Sequence, residues 1–521
     1  MKKILLLCLP FAATVAMAQK TDEAARYAGL ITPQALKEKL IFLASADMEG
    51  RETTSPGQKK AAAWIEGLFK SFGLKPGNGN SYQQLYPVYQ DQMTEKKLMV
   101  NGKNFEWDKD FSFGIMSGNW TYNDIVFAGY GNVDSAKGIN DYAGLDVKGK
   151  LVMVLEGGTT PVAAGRRGGF FNPNQGKINA ARAKGATGVL VIADFSHRQP
   201  TNTKGRMSII APGTASANNA RPGAAGTPAP LFTVTISDAV ASALMGRTSK
   251  VALTDLKDAA KGIYHAELAV TAVSNNITLE SSNVIGILPG TGKKDEYVFL
   301  TGHYDHLGKN GDIIYYGADD DGSGSVGVIQ MAEAFAAAAR DGNKPKRTMI
   351  FMTVSGEEKG LLGSEYYSEH PTIDLSKASA DLNTDMIGRG DTSRKADTLN
   401  YIYVIGHDKL SSDLAVINEA VNKKYISNLA LDYKYDDPND MNMIYYRSDH
   451  YNFAKKGVPV LFFYDGMLGA DYHKPTDTVD KIQFEVMSRR AQLVFHTAWV
   501  IANRDDILKR DIPLNMPPRS R

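Results

Sequence analysis

Cysteine is all but missing: Cys8 is the only one in 521 residues. Once the first eighteen residues are removed, thiol catalysis, cysteine-ligated metals and a disulfide framework are all excluded. An excess of one charge sign is missing too. The 59 Lys+Arg stand against 57 Asp+Glu for a formal +2, and Lys2 and Lys3 account for that difference. A chain balanced in this way has no electrostatic footprint for nucleic acid or for an anionic membrane surface. After the N-terminus, no apolar run reaches the roughly 20 residues that a bilayer span needs, so no integral membrane span is expected. No internal repeat is present either. At 43% hydrophobic and 22% charged residues the composition is that of a globular protein, long enough for about two to four domains.

The N-terminus has the marks of a secretory signal. Lys2 and Lys3 precede the mostly apolar Ile4 to Val15, and Ala16-Met17-Ala18 satisfies the small-x-small cleavage rule. Residues 1–18 are therefore expected to be removed before Gln19, giving an exported protein, periplasmic or extracellular.

Patterning divides the rest. From Pro33 to Phe72, Leu36, Leu40 and Leu43 and then Ala61, Ile65, Leu68, Phe69 and Phe72 recur at helical spacing around a turn at Thr53 to Gly57. Leu85–Tyr89 and Leu98–Val100 look like short strands, and the Gly/Asn/Trp-rich stretch near Gly114 to Trp120 like a boundary. Residues 123–266 have the texture of a small α/β unit: β-like runs at Asp124–Tyr130, Leu151–Leu155 and Val189–Ile192, a helix over Gly176–Lys184, and a Gly/Pro/Ala/Asn-rich tract from Ala211 to Pro230 expected to be a surface loop. From residue 267 onward, strand-length apolar runs (Asn283–Leu288, Tyr297–Leu300, Thr348–Thr353, Tyr401–Ile405, Val458–Phe463) alternate with helical segments such as Val326–Ala339. Such alternation argues for an α/β domain with a mixed, mainly parallel sheet flanked by helices.

The chemistry-bearing residues gather at the ends of those apolar runs, where ligands collect in open α/β sheets. His303 closes Tyr297–Leu300 in Thr-Gly-His-Tyr-Asp-His. Asp319-Asp320-Asp321 precedes Gly322-Ser323-Gly324 and a helix, and Glu357-Glu358 follows Thr348–Thr353. Asp385 stands in Asn-Thr-Asp-Met-Ile-Gly, and His473 in Asp-Tyr-His-Lys-Pro-Thr-Asp-Thr. Taken singly, the Asp triplet could be a helix cap, the Glu pair a solvated pair and each histidine an ordinary core or surface residue. Together they are the N and O donors that Zn²⁺ takes when no thiolate is available, and so much negative charge in one crevice calls for a cation.

In this order the motifs resemble the co-catalytic dizinc exopeptidases, a family that includes secreted bacterial leucyl aminopeptidases and glutamate carboxypeptidases. The motifs are Gly-His-Tyr-Asp-His (302–306), Gly-Ala-Asp-Asp-Asp-Gly-Ser-Gly (317–324), Gly-Glu-Glu-Lys-Gly-Leu-Leu-Gly-Ser (356–364), Asp-Met-Ile-Gly (385–388), Arg-Ser-Asp-His (447–450) and Tyr-His-Lys-Pro-Thr-Asp-Thr (472–478). Residues 123–266 resemble an inserted protease-associated domain, through Asn140 to Leu145 and Ala180-Ala181 to Val189. The peptidase domain is then expected as 19–122 plus 267–521.

The resemblance implies two Zn²⁺ per chain, with Asp320 bridging them, His303 and Asp385 completing one position, and Glu358 and His473 the other. It makes Glu357 the general base, Asp305 the carboxylate that fixes the His303 tautomer, and Tyr472 an oxyanion donor in some relatives. It also implies a cis peptide between Asp320 and Asp321. The expected activity is aminopeptidase hydrolysis of peptides with a free N-terminus, whose α-amine Asp449 and the other carboxylates suit. The alternatives are a glutamate carboxypeptidase-like enzyme, a single-zinc glutaminyl cyclase and a non-catalytic receptor-like relative. Filled ligand positions argue against the last, and a lone Arg447 among the late motifs argues against a carboxypeptidase.

Overall fold

The computed structural model describes residues 22–158, 173–213 and 231–516, apart from 396 and 428. The signal segment and most of the 211–230 tract lie outside these residues. The chain divides into two compact units, one formed mainly by residues up to Gln84 together with Ser282–Pro438 and Tyr445–Asn515, the other mainly by Leu85–Ser281.

The first unit is built on strands in the order Ala430–Asp432, Tyr401–Ile405, Val460–Tyr464, Ala378–Thr384, Lys293–His303 and Arg347–Val354, followed by the end of Gly262–Leu288. Its centre is parallel: Lys293–His303 pairs in parallel with both Arg347–Val354 and Ala378–Thr384, and the latter with Val460–Tyr464. Antiparallel partners flank this centre, Val284–Leu288 against Arg347–Val354 and Tyr401–Ile405 against Val460–Tyr464. Every residue of Arg347–Val354 and Ala378–Thr384 is buried, as expected of parallel strands covered on both faces.

Alternation sorts the side chains of Lys293–His303. Val298 and Leu300 join the large core with helices Pro33–Leu43, Pro56–Ser71, Gly324–Arg340 and Phe484–Asn503. Phe299 instead meets Tyr367 and Phe453, from helices Leu362–Glu369 and His450–Lys455. Both early amphipathic helices form as patterned, and each is capped by a hydroxyl: Thr32 accepts from Ala35 N–H and Ser55 from Gln58 N–H.

The second unit orders its strands as the first half of Gly262–Leu288, then Gly118–Phe127, Leu151–Leu155, Gly188–Ile192, Phe232–Ile236 and Phe111–Ser112. Helices Gln175–Ala183 and Asp238–Leu244 accompany them. It is larger than the expected 123–266. The stretch near Gly114 to Trp120 is no boundary, because Trp120 and Tyr122, two residues apart on one strand face, both pack on Phe232. The two short strands expected between 85 and 100 are one strand, Gln83–Val100. Among the described residues no helix is long and apolar enough to cross a membrane.

One buried carboxyl makes stability sensitive to pH. Asp381, on strand Ala378–Thr384, is pushed up to about 8 by burial, and its Oδ2 has no partner. Thr301 Oγ1 sits 2.7 Å from Asp381 Oδ1 and 2.9 Å from Asn383 Oδ1. One hydroxyl proton cannot serve both acceptors, so a protonated Asp381 completes the pair. An unfolded aspartate titrates near ~3.9. Between there and about 8 the folded state alone keeps the proton, so stability falls as pH rises through that window. Asp381→Asn should remove this slope, on the order of 1 kcal/mol per pH unit. Thermal unfolding at pH 5 and pH 8 should show the variant gaining on wild type, and a constant gap would refute the assignment.

Candidate metal centre

Strand ends and the turns after them bring the predicted residues together. His303 ends strand Lys293–His303, Glu357 and Glu358 follow Arg347–Val354, and Asp385 follows Ala378–Thr384. Asp320 lies just before helix Gly324–Arg340, and His473 on the loop after Val460–Tyr464. The Asp320–Asp321 peptide is cis.

The three adjacent aspartates divide the work. Asp319 Oδ1 accepts from Ser323 Oγ–H and Gly388 N–H. Asp321 Oδ1 accepts from Gly324 N–H and Met386 N–H, and its Oδ2 from His303 N–H. Asp477 in turn accepts from the amides of Asp319 and Asp320. The outer two carboxylates therefore tie down backbone, and Asp320 between them turns both oxygens to imidazoles. Its Oδ1 is 3.4 Å from His303 Nε2 and its Oδ2 3.1 Å from His473 Nε2. His303 Nε2 is also 3.6 Å from Asp385 Oδ1, and His473 Nε2 3.1 Å from Glu358 Oε2.

These spacings suit shared cations. Donors about 2.0–2.1 Å from a tetrahedral zinc are about 3.3 Å from one another. His303 Nε2, Asp320 Oδ2 and Glu358 Oε1 are also buried with no hydrogen-bond partner, which costs about 1–3 kcal/mol each unless something else engages them. The residues fit two metal ions sharing Asp320, one at His303 and Asp385, the other at His473 and Glu358.

The charge balance points the same way. Burial opposes charge on His303 and His473, yet the surrounding carboxylates raise both, His473 to about 10. Burial likewise opposes ionisation of Asp320, and its contacts with His303 and His473 outweigh that and hold it well below the usual carboxylate range. Positive charge is drawn in, as protons if not as metal. Glu357, whose Oε2 is 3.8 Å from His303 Nε2, is raised well above the usual range, first by burial and then by Glu358, Asp385 and Asp449.

Two expectations need correction. The nearest acceptor to His303 Nδ1 is the backbone oxygen of Asp305 at 3.1 Å, while its carboxylate Oδ1 is at 3.8 Å. That carboxylate instead accepts from Thr53 Oγ–H and Glu357 N–H. Asp449 cannot face a substrate amine, because it is wholly buried and accepts from Ser364 Oγ–H. Tyr472 stacks on His473 with ring centroids 3.9 Å apart, and its oxygen accepts from Arg447 Nη2–H at 2.9 Å.

Three contributors were not assigned from sequence. His306, inside the first motif, is fully buried, with Nδ1 2.8 Å from Glu358 Oε1. Asp477, inside the last motif, holds the Asp320 amide. Arg51, outside every motif, is fully buried and donates to the backbone oxygens of Leu43, Tyr304, Tyr316 and Gly317. Burial lowers it to about 10, with Asp305, Asp477, Asp321 and Asp320 opposing the shift, so it stays cationic at neutral pH. A third His/Asp group, His407, Asp408 and Asp436, is already occupied by Lys409, whose Nζ is 2.6 Å from Asp408 Oδ1 and 3.2 Å from Asp436 Oδ1.

Fold and site together define an α/β domain with a candidate paired metal centre at its strand ends, and the chain is similar to known proteins in sequence and in fold. Residues 283–498 match the model of peptidase family M28. A "Probable leucine aminopeptidase" from Trichophyton verrucosum is 30% identical over 225 residues, 42% of this chain and 57% of that protein. The chain thus spans little more than half the length of that relative. Two solved structures share the fold. An aminopeptidase from Aneurinibacillus sp. strain AM-1 has TM-score 0.52 at 20% identity, covering 95% of this chain and 100% of its own. A zinc aminopeptidase from Bacillus subtilis has TM-score 0.53 at 19% identity, covering 92% and 99%.

Arg51→Met should leave four carbonyl oxygens and a cluster of carboxylates without their cation, costing about 3–5 kcal/mol. The check is the thermal midpoint, which is expected to fall sharply. A midpoint within a degree of wild type would show that the site does not depend on this arginine.

Proposed function

We propose that the protein is an exported, zinc-dependent aminopeptidase that removes N-terminal residues from peptides. The observation that carries this reading is Asp320, whose two oxygens face two different imidazoles at metal-ligand spacing. His303, Asp385 and Asp320 would hold one zinc; His473, Glu358 and Asp320 the other. Bound there, the pair would supply Lewis acidity and lower the pKa of a water at the site.

The chain's own residues do the rest. Glu357, with Oε2 3.8 Å from His303 Nε2, is beside the first position without being needed as a ligand, and its carboxylate is 13% exposed. A carboxylate at that place suits a group that takes a proton from water and delivers it to the leaving amine nitrogen. Tyr472 would donate to the oxyanion: Arg447 already donates to the phenol oxygen, so the phenol's own hydrogen is free for another acceptor. That engagement also counts against a carboxypeptidase, since Arg447 is occupied with Tyr472 rather than held for an α-carboxylate. The unit of residues 85–281 is proposed as a protease-associated insert that contributes no ligand. Export is proposed on the N-terminal segment alone.

Removing metal with a chelator should abolish hydrolysis of aminoacyl substrates, and Zn²⁺ should restore it, with two zinc ions per chain by elemental analysis. A reproducible count of one would favour the cyclase reading, and activity unaffected by chelation would refute zinc dependence.

Glu357→Gln should keep both metals and lower kcat about 10²-fold or more, because the amide preserves shape and loses the basic oxygen. Asp320→Ala should instead lose metal. Near-normal turnover in both variants would refute the mechanism.

A further inference from the structure

His306 is a buried imidazole that the mechanism leaves without a task. Its side chain is wholly inaccessible, and neither Nδ1 nor Nε2 has a hydrogen-bond partner among the described residues. An imidazole always carries at least one donor and, when neutral, one acceptor. Leaving both buried and unmatched costs about 1–3 kcal/mol for each group. The fold nevertheless holds the ring firmly. His306 N–H donates to Arg51 O at 3.2 Å, and the ring lies against Gly317, where an added Cβ would fall 2.5 Å from His306 Cγ. Gly317, at φ +55, gives both the left-handed turn and the room.

The direction of the ring decides what it does. Nδ1 is 2.8 Å from Glu358 Oε1, yet both atoms stay without an aligned hydrogen bond. Nδ1 is also 3.9 Å from Asp320 Oδ2, and His306 shares with Asp320 and Glu358 a cluster of possible ligand atoms all within 4.8 Å of one another. Two donor atoms that lie this close without pointing at each other are arranged to meet a third body between them. His473 approaches the same two carboxylates from the exposed side, its side chain 37% accessible.

We propose that His306 Nδ1 is a further protein ligand to the second metal position, which then has four protein donors: His306, His473, Glu358 and Asp320. This inference rests on the dimetal reading above. The first position has three donors, His303, Asp385 and Asp320. Four-donor zinc sites are the closed kind, and three-donor sites keep a place for an outside ligand. The two positions therefore differ in affinity, the second holding its ion more tightly.

The test is titration of metal-free protein with Zn²⁺ against a competing chelating dye. Asp385→Ala serves as the background, so that the second position is read alone. Adding His306→Ala should weaken Zn²⁺ binding there at least 10²-fold. His306→Asn, whose amide nitrogen can replace Nδ1 as a hydrogen-bond donor but is a poor metal ligand, should weaken it as much. Affinity within threefold of the background for His306→Ala, or restored by His306→Asn, would overturn the proposal, the latter by showing that His306 only positions Glu358. As an independent reading on the otherwise wild-type chain loaded with Co²⁺, His306→Ala should alter the visible d–d spectrum, and an unchanged spectrum would also overturn it. Thermal unfolding with chelator present checks that the variants fold. Wild-type protein binding no Zn²⁺ would refute the dimetal reading itself.

Discussion

Buried negative charge is the constraint on which the first unit depends. Asp305, Asp319, Asp320, Asp321, Asp449, Asp465 and Asp477 are all buried, with Glu357, Glu358 and Asp385 beside them. An isolated buried carboxylate is untenable, and each must be protonated, hydrogen-bonded or paired. The chain uses all three means. Asp321 and Asp477 accept from backbone amides, and Asp319 Oδ1 from the Gly388 amide and the Ser323 hydroxyl. Arg490, itself fully buried, lies 3.7 Å from Asp465, and Arg51 serves the group around Asp305. Asp320, Glu358 and Asp385 face imidazoles instead. The candidate metal centre is where that charge balance is left open.

The same arrangement ties chemistry to architecture. A parallel sheet centre carries its loops to one edge, so His303, Glu357–Glu358 and Asp385 arrive from three neighbouring strands without any long excursion of the chain. Asp321 links two of these loops, because it accepts from the amides of both His303 and Met386. Asp305 links a third, accepting from the Glu357 amide. Displacing any one strand by a residue would turn its ligand away from the cluster and break one of these amide bonds at once.

Much of this was legible in the sequence because the signals were local. Apolar runs bounded by His, Asp or Glu located the strand ends, and the motifs named residues that the fold gathers at the candidate centre. The sequence was less informative where the determining contact is distant. Nothing around Arg51 marks it as the anchor for carbonyls more than 250 residues away. Asp449 looked like a group for the substrate because its buried position depends on Ser364, 85 residues earlier. In the second unit, a composition of Gly, Asn and Trp suggested a boundary, whereas packing of Trp120 and Tyr122 on Phe232 makes it a strand. His306 was in view within a quoted motif, but its pattern also fits an ordinary core histidine, and only its unmatched nitrogens separate the two.

His473 is the exception among the candidate ligands, being the one that comes from a partly exposed loop and sits in the left-handed region at φ 57. Histidine adopts that region more readily than most residues, and its surroundings fix it there. They do so from both sides. Before it, Asp471 receives Arg389 at 3.0 Å and Lys481 at 2.6 Å. After it, Asp477 is fixed on the Asp319 and Asp320 amides, so the loop is pinned to the carboxylate that His473 must face. Tyr472 is held in turn by Arg447 and by its stack on the His473 ring. As a ligand, an exposed histidine on a clamped loop would reconcile two demands on a metal site: donors fixed in advance, so that little ordering entropy is lost on binding, and an entry path by which an ion can reach them.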